Sequence, residues 1–371
     1  MVWLMIGTEH EYSINDFNFK AMPISDVIIK EITGKIQNEF FLDTIGISKE
    51  LQKHVIEFKP KMPSGSIKDL EKMLYDGMKD FHSRTNNCYN LMGLGMHPLL
   101  DLNGTAFWDH DEREVFDTYD RVFNLKQHGW LNIQSIQVNV SYSSEDDMVL
   151  KHNKIRTMIP YLVALTASSP MVEGKLTKYA DNRLIYYKEN QKEIPEITGK
   201  IIPEPLLKSS DYEDLLEKMY MELKEKEAQV LCQEWVNSRG LIVRRERKCV
   251  EIKAMDEQES IHADMAISAL INCLIRVDDL NLPDDEEGIL EVFETAKKSG
   301  TKNLKPELEA IYKKAQLIAT NEERHYLKHI FNRIEYGCLS EIITEKYNEE
   351  KDILKIMNEA KLCLKENKLM F

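Results

Sequence analysis

The chain has 371 residues, 43% apolar and 30% charged, a composition suited to one large or two smaller globular units with a sizeable buried core. A formal net charge of −14 excludes broad binding to nucleic acid or to an anionic membrane, since both demand a positive surface. The six cysteines (88, 232, 249, 273, 338, 363) lack C-x-x-C spacing and read as reduced thiols; no run nears the roughly 20 apolar residues of a membrane span, and no leader is evident, so a cytoplasmic location is expected.

In chain order, Val2 to Ile6 is β-favouring, and the strand continues through Gly7-Thr8-Glu9-His10-Glu11-Tyr12. Alternation puts Glu9 and Glu11 on one face and His10 on the other. Two adjacent carboxylates repel and lose solvation, so this is either a site for a hard cation such as Mg²⁺ or a solvated edge. Residues 23–40 read as a helix, Val55 to Pro60 as a strand carrying Glu57, and 67–91 as a long helix opened by Ser64-Gly65-Ser66. Gly93 to Pro98 is expected to be a short strand, and 101–127 a mobile connection or short helices. In the strand 133–142, Gln137, Asn139 and Ser141 alternate with Ile136, Val138 and Val140. A helix from Ser144 to Ala167 follows, ended by Ser168-Ser169-Pro170.

Residues 174–211 read as irregular structure over a site, with enough Gly and Pro to allow a lid. After a helix over 212–227, three strands are expected at 228–236, 241–247 and 249–255; in the last, Glu251 and Lys253 share a face opposite Ile252 and Ala254. Five helices then follow, at 258–278, 286–298, 305–319, 321–335 and 349–366. The sum is an α+β fold with a mostly antiparallel sheet, divided into a catalytic unit (1–281) and a helical C-terminal region (282–371) packed on it. Apolar stripes on the C-terminal helices could pack internally or between subunits of a homo-oligomer.

The polar faces of four strands, bearing Glu9 and Glu11, Glu57, Gln137 and Asn139, and Glu251, could merge into one acidic, metal-holding surface. Arg244, Arg245, Arg247 and Lys248 form the densest basic cluster; alone they read as rim ion pairs, but beside Glu251 they suit a polyphosphate clamp. His97 is a hydrogen-bonded loop residue or part of a substrate pocket. Arg183 pairs either with a substrate carboxylate or with Asp181 or another acid. Neither G-x-x-x-x-G-K-[ST] nor G-x-G-x-x-G occurs, so any nucleotide site must rely on metal and arginine.

Gly7-Thr8-Glu9-His10-Glu11 resembles the N-terminal signature of plant- and proteobacterial-type glutamate–cysteine ligases. Gln137 to Met148 is similar to the following strand and helix of that family, Ala164 to Gly174 to its "ALxANSPFxEG" segment, and Glu251 to Asp256 to its "ExRxxD" strand. The matches run in family order from about residue 5 to 260. The resemblance implies a glutamine-synthetase-like catalytic fold with a concave active-site face. It further implies an ATP-dependent ligase that activates the γ-carboxylate of glutamate as an acyl phosphate for attack by the amine of cysteine. Related members are carboxylate–amine ligases with other acceptors, and a non-catalytic nucleotide-binding descendant is the contrasting expectation. By resemblance, Glu9, Glu11, Glu57, Gln137 and Glu251 hold Mg²⁺, Arg245, Arg247 and Lys253 serve the transferring phosphoryl group, and Arg183 binds substrate; His97 and Asn139 are further candidate substrate-binding residues. Lys253 replaces the usual Arg of "ExRxxD"; Ser168 and Met171 replace Asn and Phe of "ANSPF".

Overall fold

The computed structural model describes residues 4–370; the reading of Val2 and Trp3 as strand lies outside them. The chain begins with β1 (Ile6–Asn15), α1 (Ser25–Thr33), β2 (Glu39–Phe41), β3 (Ile45–Lys49) and β4 (Val55–Pro60). The first helix is shorter than the periodicity predicts because Gly34, at φ 82°, closes it in the left-handed conformation. That leaves room for the β2–β3 hairpin, whose three- and five-residue strands are too short to leave a clear pattern. Next comes α2 (Ile67–Arg84), N-capped by Ser66 Oγ accepting from the Asp69 amide. The helix ends seven residues before the expected 91, and Asn86 and Asn87, both at positive φ, turn the chain into β5 (Asn90–Met92). The strand expected over 93–98 therefore lies earlier, and Gly93 to Pro98 is a connection.

The 101–127 stretch contains α3 (Arg113–Phe123), followed by the one-turn α4 (His128–Leu131) and β6 (Ser135–Ser141). Ser144 caps α5 (Glu145–Thr166), as expected. Residues 171–198 hold a small hairpin, β7 (Met171–Val172) with β8 (Lys175–Leu176), then α6 (Arg183–Glu189) and α7 (Pro195–Thr198). After α8 (Ser210–Glu225), the expected strand 228–236 is instead two 3-10 turns. Its Leu231 and Val236 plug a satellite core with Phe123, Trp130 and Ile197, so a short apolar run served packing without pairing. Strands β9 (Leu241–Arg244) and β10 (Cys249–Asp256) are joined by a turn in which Lys248 has φ 52°. The remainder is α9 (Ile261–Arg276), α10 (Glu286–Ser299), α11 (Lys305–Ile318), α12 (Asn321–Tyr336), α13 (Leu339–Glu350) and α14 (Ile353–Glu366). Of these only α13 goes beyond the helices expected.

One antiparallel sheet runs β2-β3-β4-β1-β6-β10-β9, with β5 also paired to β1. Its apolar face, including Ile136, Val138, Val140, Val250 and Ile252, packs on Leu70 and Leu74 of α2, Ile155 and Ile159 of α5, and Met265 of α9. Each such buried side chain contributes about 1.5–3 kcal/mol. Helices α10, α11 and α12 bury their stripes in the same core, α10 lying on α5 and α12 on α9, whereas α13 and α14 pack mainly in a satellite core with Met92 and Met171. This is the expected α+β class with a mostly antiparallel sheet and flanking helices. Among the described residues no helix is long and apolar enough to cross a membrane, and all six cysteines are free thiols.

Candidate active site

Register explains why the acids meet. Residues directly opposite one another in antiparallel strands project to the same face. Glu11 stands opposite Glu57, Glu9 opposite Gln137, and Asn139 opposite both Gly7 and Glu251. A bulge in β10 between Ile252 and Met255 shifts the alternation by one. Met255 thereby turns into the core, while Asp256, opposite Ser135, turns to the acid face.

Two nests of carboxylates result. In the first, ligand oxygens of Glu11, Glu50 and Glu57 all lie within 4.8 Å of one another. Glu11 is aimed by the Ser135 amide (2.8 Å) and by Gln137 Nε2 (2.9 Å), and Glu57 by Ser48 Oγ (2.6 Å). At an effective dielectric of ~20, two charges 4.8 Å apart repel by about 3.5 kcal/mol, so three ionised carboxylates here need a cation or protons. Burial first, then neighbouring acids, pushes Glu50 up to about 8; burial and the negative charge of Glu9 and Glu50 raise Glu57 strongly, and burial raises Glu11. In the second nest, burial and Glu9 raise Glu251, whose Oε2 is buried without a hydrogen bond. Burial also pushes Glu9 up, but Arg247, Lys59 and Arg244 outweigh it and hold its carboxyl below the usual range. Arg247 Nη1 donates to Glu9 Oε1 at 2.6 Å, as does Asn139 Nδ2 at 3.1 Å.

Glu9, Glu11, Glu57, Gln137, Asn139, Glu251, Arg247 and Lys253 thus share one face; Lys253 Nζ lies 3.9 Å from Glu251 Oε1. Glu50, just past β3 and outside any expected strand, escaped the sequence reading, although it stands seven residues before Glu57. Arg244 was seen only as one member of the basic cluster. It lies opposite Cys249, one alternation from the Ile242–Glu251 pair, and reaches Glu251 Oε2 at 3.7 Å. Arg245 is placed elsewhere: it leaves the face in the turn and pairs with Glu145 of α5 and Glu213 of α8. His97 is also apart from the acids. Fully buried, its ring bonds Asn15 Oδ1 (2.8 Å), the Phe19 carbonyl and the Leu99 amide, and burial lowers it to about 4. Arg183 is buried at the start of α6 with Nε on Asp256 at 2.6 Å, which is the other acid allowed for beside Asp181. Its Nη atoms lie 3.4 Å from the Lys253 carbonyl, and its charge acts on Glu11. Ser168 anchors Asp256 through its amide at 2.9 Å, and Met171 packs in a satellite core with Met92 and Leu339.

The donors on this face are almost all oxygens, the set that hard Mg²⁺ prefers, and the orphaned Glu251 Oε2 fits a ligand awaiting a cation. At the Ile6 end of β1 a cavity of about 490 Å³ opens over Glu9, Asn139 and Arg247, with Phe41 and Met62 on its apolar wall.

Comparisons accord with this geometry. An uncharacterized protein of Archaeoglobus fulgidus is 47% identical over 98% of this chain and 100% of its own length. A putative glutamate–cysteine ligase 2 of Corynebacterium glutamicum is 29% identical over 50% of this chain and 46% of its own. The glutamate–cysteine ligase of Francisella tularensis, solved in complex with AMP, superposes with TM-score 0.67 over 98% of this chain and 89% of its own, at 10% identity. The bifunctional glutathione synthetase of Pasteurella multocida gives TM-score 0.66 at 14% identity, over 98% of this chain and 52% of its own. These two share the fold. Residues 5–350 match glutamate–cysteine ligase family 2 (GCS2), and with an acid-lined antiparallel sheet of the same architecture the chain belongs to that family of carboxylate–amine ligases.

Proposed function

We propose that the chain is an ATP- and Mg²⁺-dependent γ-glutamyl ligase, which activates the glutamate γ-carboxylate as an acyl phosphate for attack by the amine of cysteine. The observation that carries this reading is the convergence of Glu9, Glu11, Glu50, Glu57 and Glu251 on one sheet face, where the repulsion among Glu11, Glu50 and Glu57 calls for a cation or protons. Bound Mg²⁺ would neutralise the anions that a phosphoryl transfer to a carboxylate must bring together. The protein's own part is positioning and charge. Glu11, Glu50 and Glu57 hold one cation position, Glu9 and Glu251 another, and Gln137 and Asn139 orient Glu11 and Glu9 by donating to them. Arg247, Arg244 and Lys253 surround the Glu251 nest with positive charge, suited to the equatorial oxygens of a transferring phosphoryl group. Arg183, held by Asp256 and the Lys253 carbonyl, adds positive charge beside Glu11 that would attract the α-carboxylate of glutamate. Phe41 and Met62 offer an apolar wall for a nucleotide base.

An amine other than cysteine is the second reading, favoured by Lys253, which grips as a point charge where the family pattern has a fork. The test is ADP release with glutamate, Mg²⁺ and each amino acid in turn. Stimulation by cysteine supports the proposal, and stimulation by another amine alone the second reading. ADP release that no amine stimulates leaves a nucleotide-binding protein without ligase activity. Glu251→Gln is expected to abolish ADP release with the fold intact, and unchanged turnover would remove Glu251 from the mechanism.

A further inference from the structure

On the opposite side of the same sheet, His10, Glu257 and Asp264 form a second cluster for which the proposed ligase chemistry has no use. His10 alternates with Glu9 and Glu11 and so points into the core; Glu257 directly follows β10, and Asp264 lies in the first turn of α9. All three are 0% exposed, and their ligand atoms lie within 4.8 Å of one another. His10 Nδ1 is 3.4 Å from Glu257 Oε1 and 3.3 Å from Asp264 Oδ2. Both distances exceed the usual N–H···O value of about 2.9 Å. They match the edge of a tetrahedron drawn by ligand bonds of about 2.0–2.1 Å, which is about 3.3 Å. Neither Asp264 oxygen completes a hydrogen bond, and the buried Tyr12 hydroxyl, two residues from His10 on the same face of β1, has no partner either.

Charge points the same way. Among the described residues Glu257 and Asp264 form no ion pair with any Lys or Arg, and the buried Arg333 pairs with Glu259 at 2.7 Å. Two ionised acids within 4.8 Å of each other and shut off from solvent repel strongly, so the pair needs a cation or a proton. A divalent ion with two carboxylates and a neutral imidazole brings the cluster to zero charge.

We propose that His10, Glu257 and Asp264 form a buried structural site for a divalent ion of the zinc class, with the Tyr12 hydroxyl as the fourth donor. The imidazole donor and the lack of solvent access disfavour Mg²⁺, which keeps several waters. The site has a structural purpose. Glu257 Oε2 accepts the Glu11 amide at 3.1 Å, so an ion holding Oε1 fixes the backbone from which Glu11 reaches the acid face.

The test uses the whole chain, purified without a metal-affinity tag, refolded with Zn²⁺ and dialysed against EDTA. The metal released on unfolding in guanidinium is then measured. One Zn²⁺ per chain is expected, and refolding with Co²⁺ should give the intense visible absorption of a four-coordinate site. Asp264→Asn and His10→Gln should retain roughly a tenth of the metal or less, whereas Glu57→Gln on the acid face should retain all of it. No EDTA-resistant metal in the unaltered chain overturns the proposal, as does retention by folded Asp264→Asn or loss in Glu57→Gln. The metal content and Co²⁺ spectrum of the unaltered chain decide the matter even where a variant does not fold.

Discussion

Arg244 and Arg245 are neighbours in the chain with opposite surroundings, one over the Glu251 nest and one bridging α5 and α8 at the surface. On the proposed mechanism, Arg244→Ala should lower kcat/KM by roughly 10²–10³, the usual cost of losing a donor to developing charge. Arg245→Ala should change turnover little and cost about 1 kcal/mol or less in a denaturant melt, as exposed pairs do. Equal losses of turnover in both variants would contradict the division. The distinction depends on strand parity and on where β9 ends, and four basic residues in five positions show neither. Glu9, Glu11 and Glu251 were legible for the converse reason: Glu251 lies between Val250 and Ile252, and Glu9 and Glu11 stand two apart on a strand opened by an apolar run. His97 was not: a histidine before proline looks the same whether its ring faces a pocket or, as here, the Asn15 side chain and the Phe19 carbonyl.

Among the elements, the capped starts of helices were read most accurately. Ser66 and Ser144 each accept an amide hydrogen bond from three residues ahead, a local signal that needs no tertiary partner. The β2–β3 hairpin and the turns at 229–236 were missed or misread because their form is decided by what they pack against. The segment after β5 shows the same dependence. A Cβ on Gly93 would lie 2.1 Å from the Gln258 carbonyl oxygen, so this connection crosses the chain leaving β10 at a distance only glycine permits. Gly93→Ala should therefore destabilise by about 2–3 kcal/mol, seen as a lower urea midpoint at unchanged slope. A melt like that of the unaltered chain would show that the two segments move apart freely.

For the whole molecule, the acid face makes stability depend on both pH and metal. Glu11, Glu50, Glu57 and Glu251 have carboxyls raised above the ordinary 4.5, Glu50 to about 8. A raised carboxyl favours folding while protonated, so its contribution is complete below 4.5 and is lost as pH climbs through the folded value. Without divalent ions, Tm should fall between about pH 5 and about pH 8, each group contributing up to about 1.4 kcal/mol per pH unit. Mg²⁺ should restore Tm by an amount that grows with pH, because the cation displaces the protons. Glu50→Gln should flatten the metal-free profile and shrink the Mg²⁺ gain. A flat profile in the unaltered metal-free chain would contradict this account of the acid face.

By itself the sequence determined the fold class, the long helices, and which carboxylates share a strand face, because periodicity and capping act within a few residues. Only the tertiary structure decided which face meets which. Strand register set Glu11 against Glu57, a bulge turned Asp256 toward Arg183, and the pairing of β3 with β4 brought Glu50 into the row. Those outcomes depend on contacts between residues far apart in the chain, whose pairing is fixed by packing the whole sheet at once.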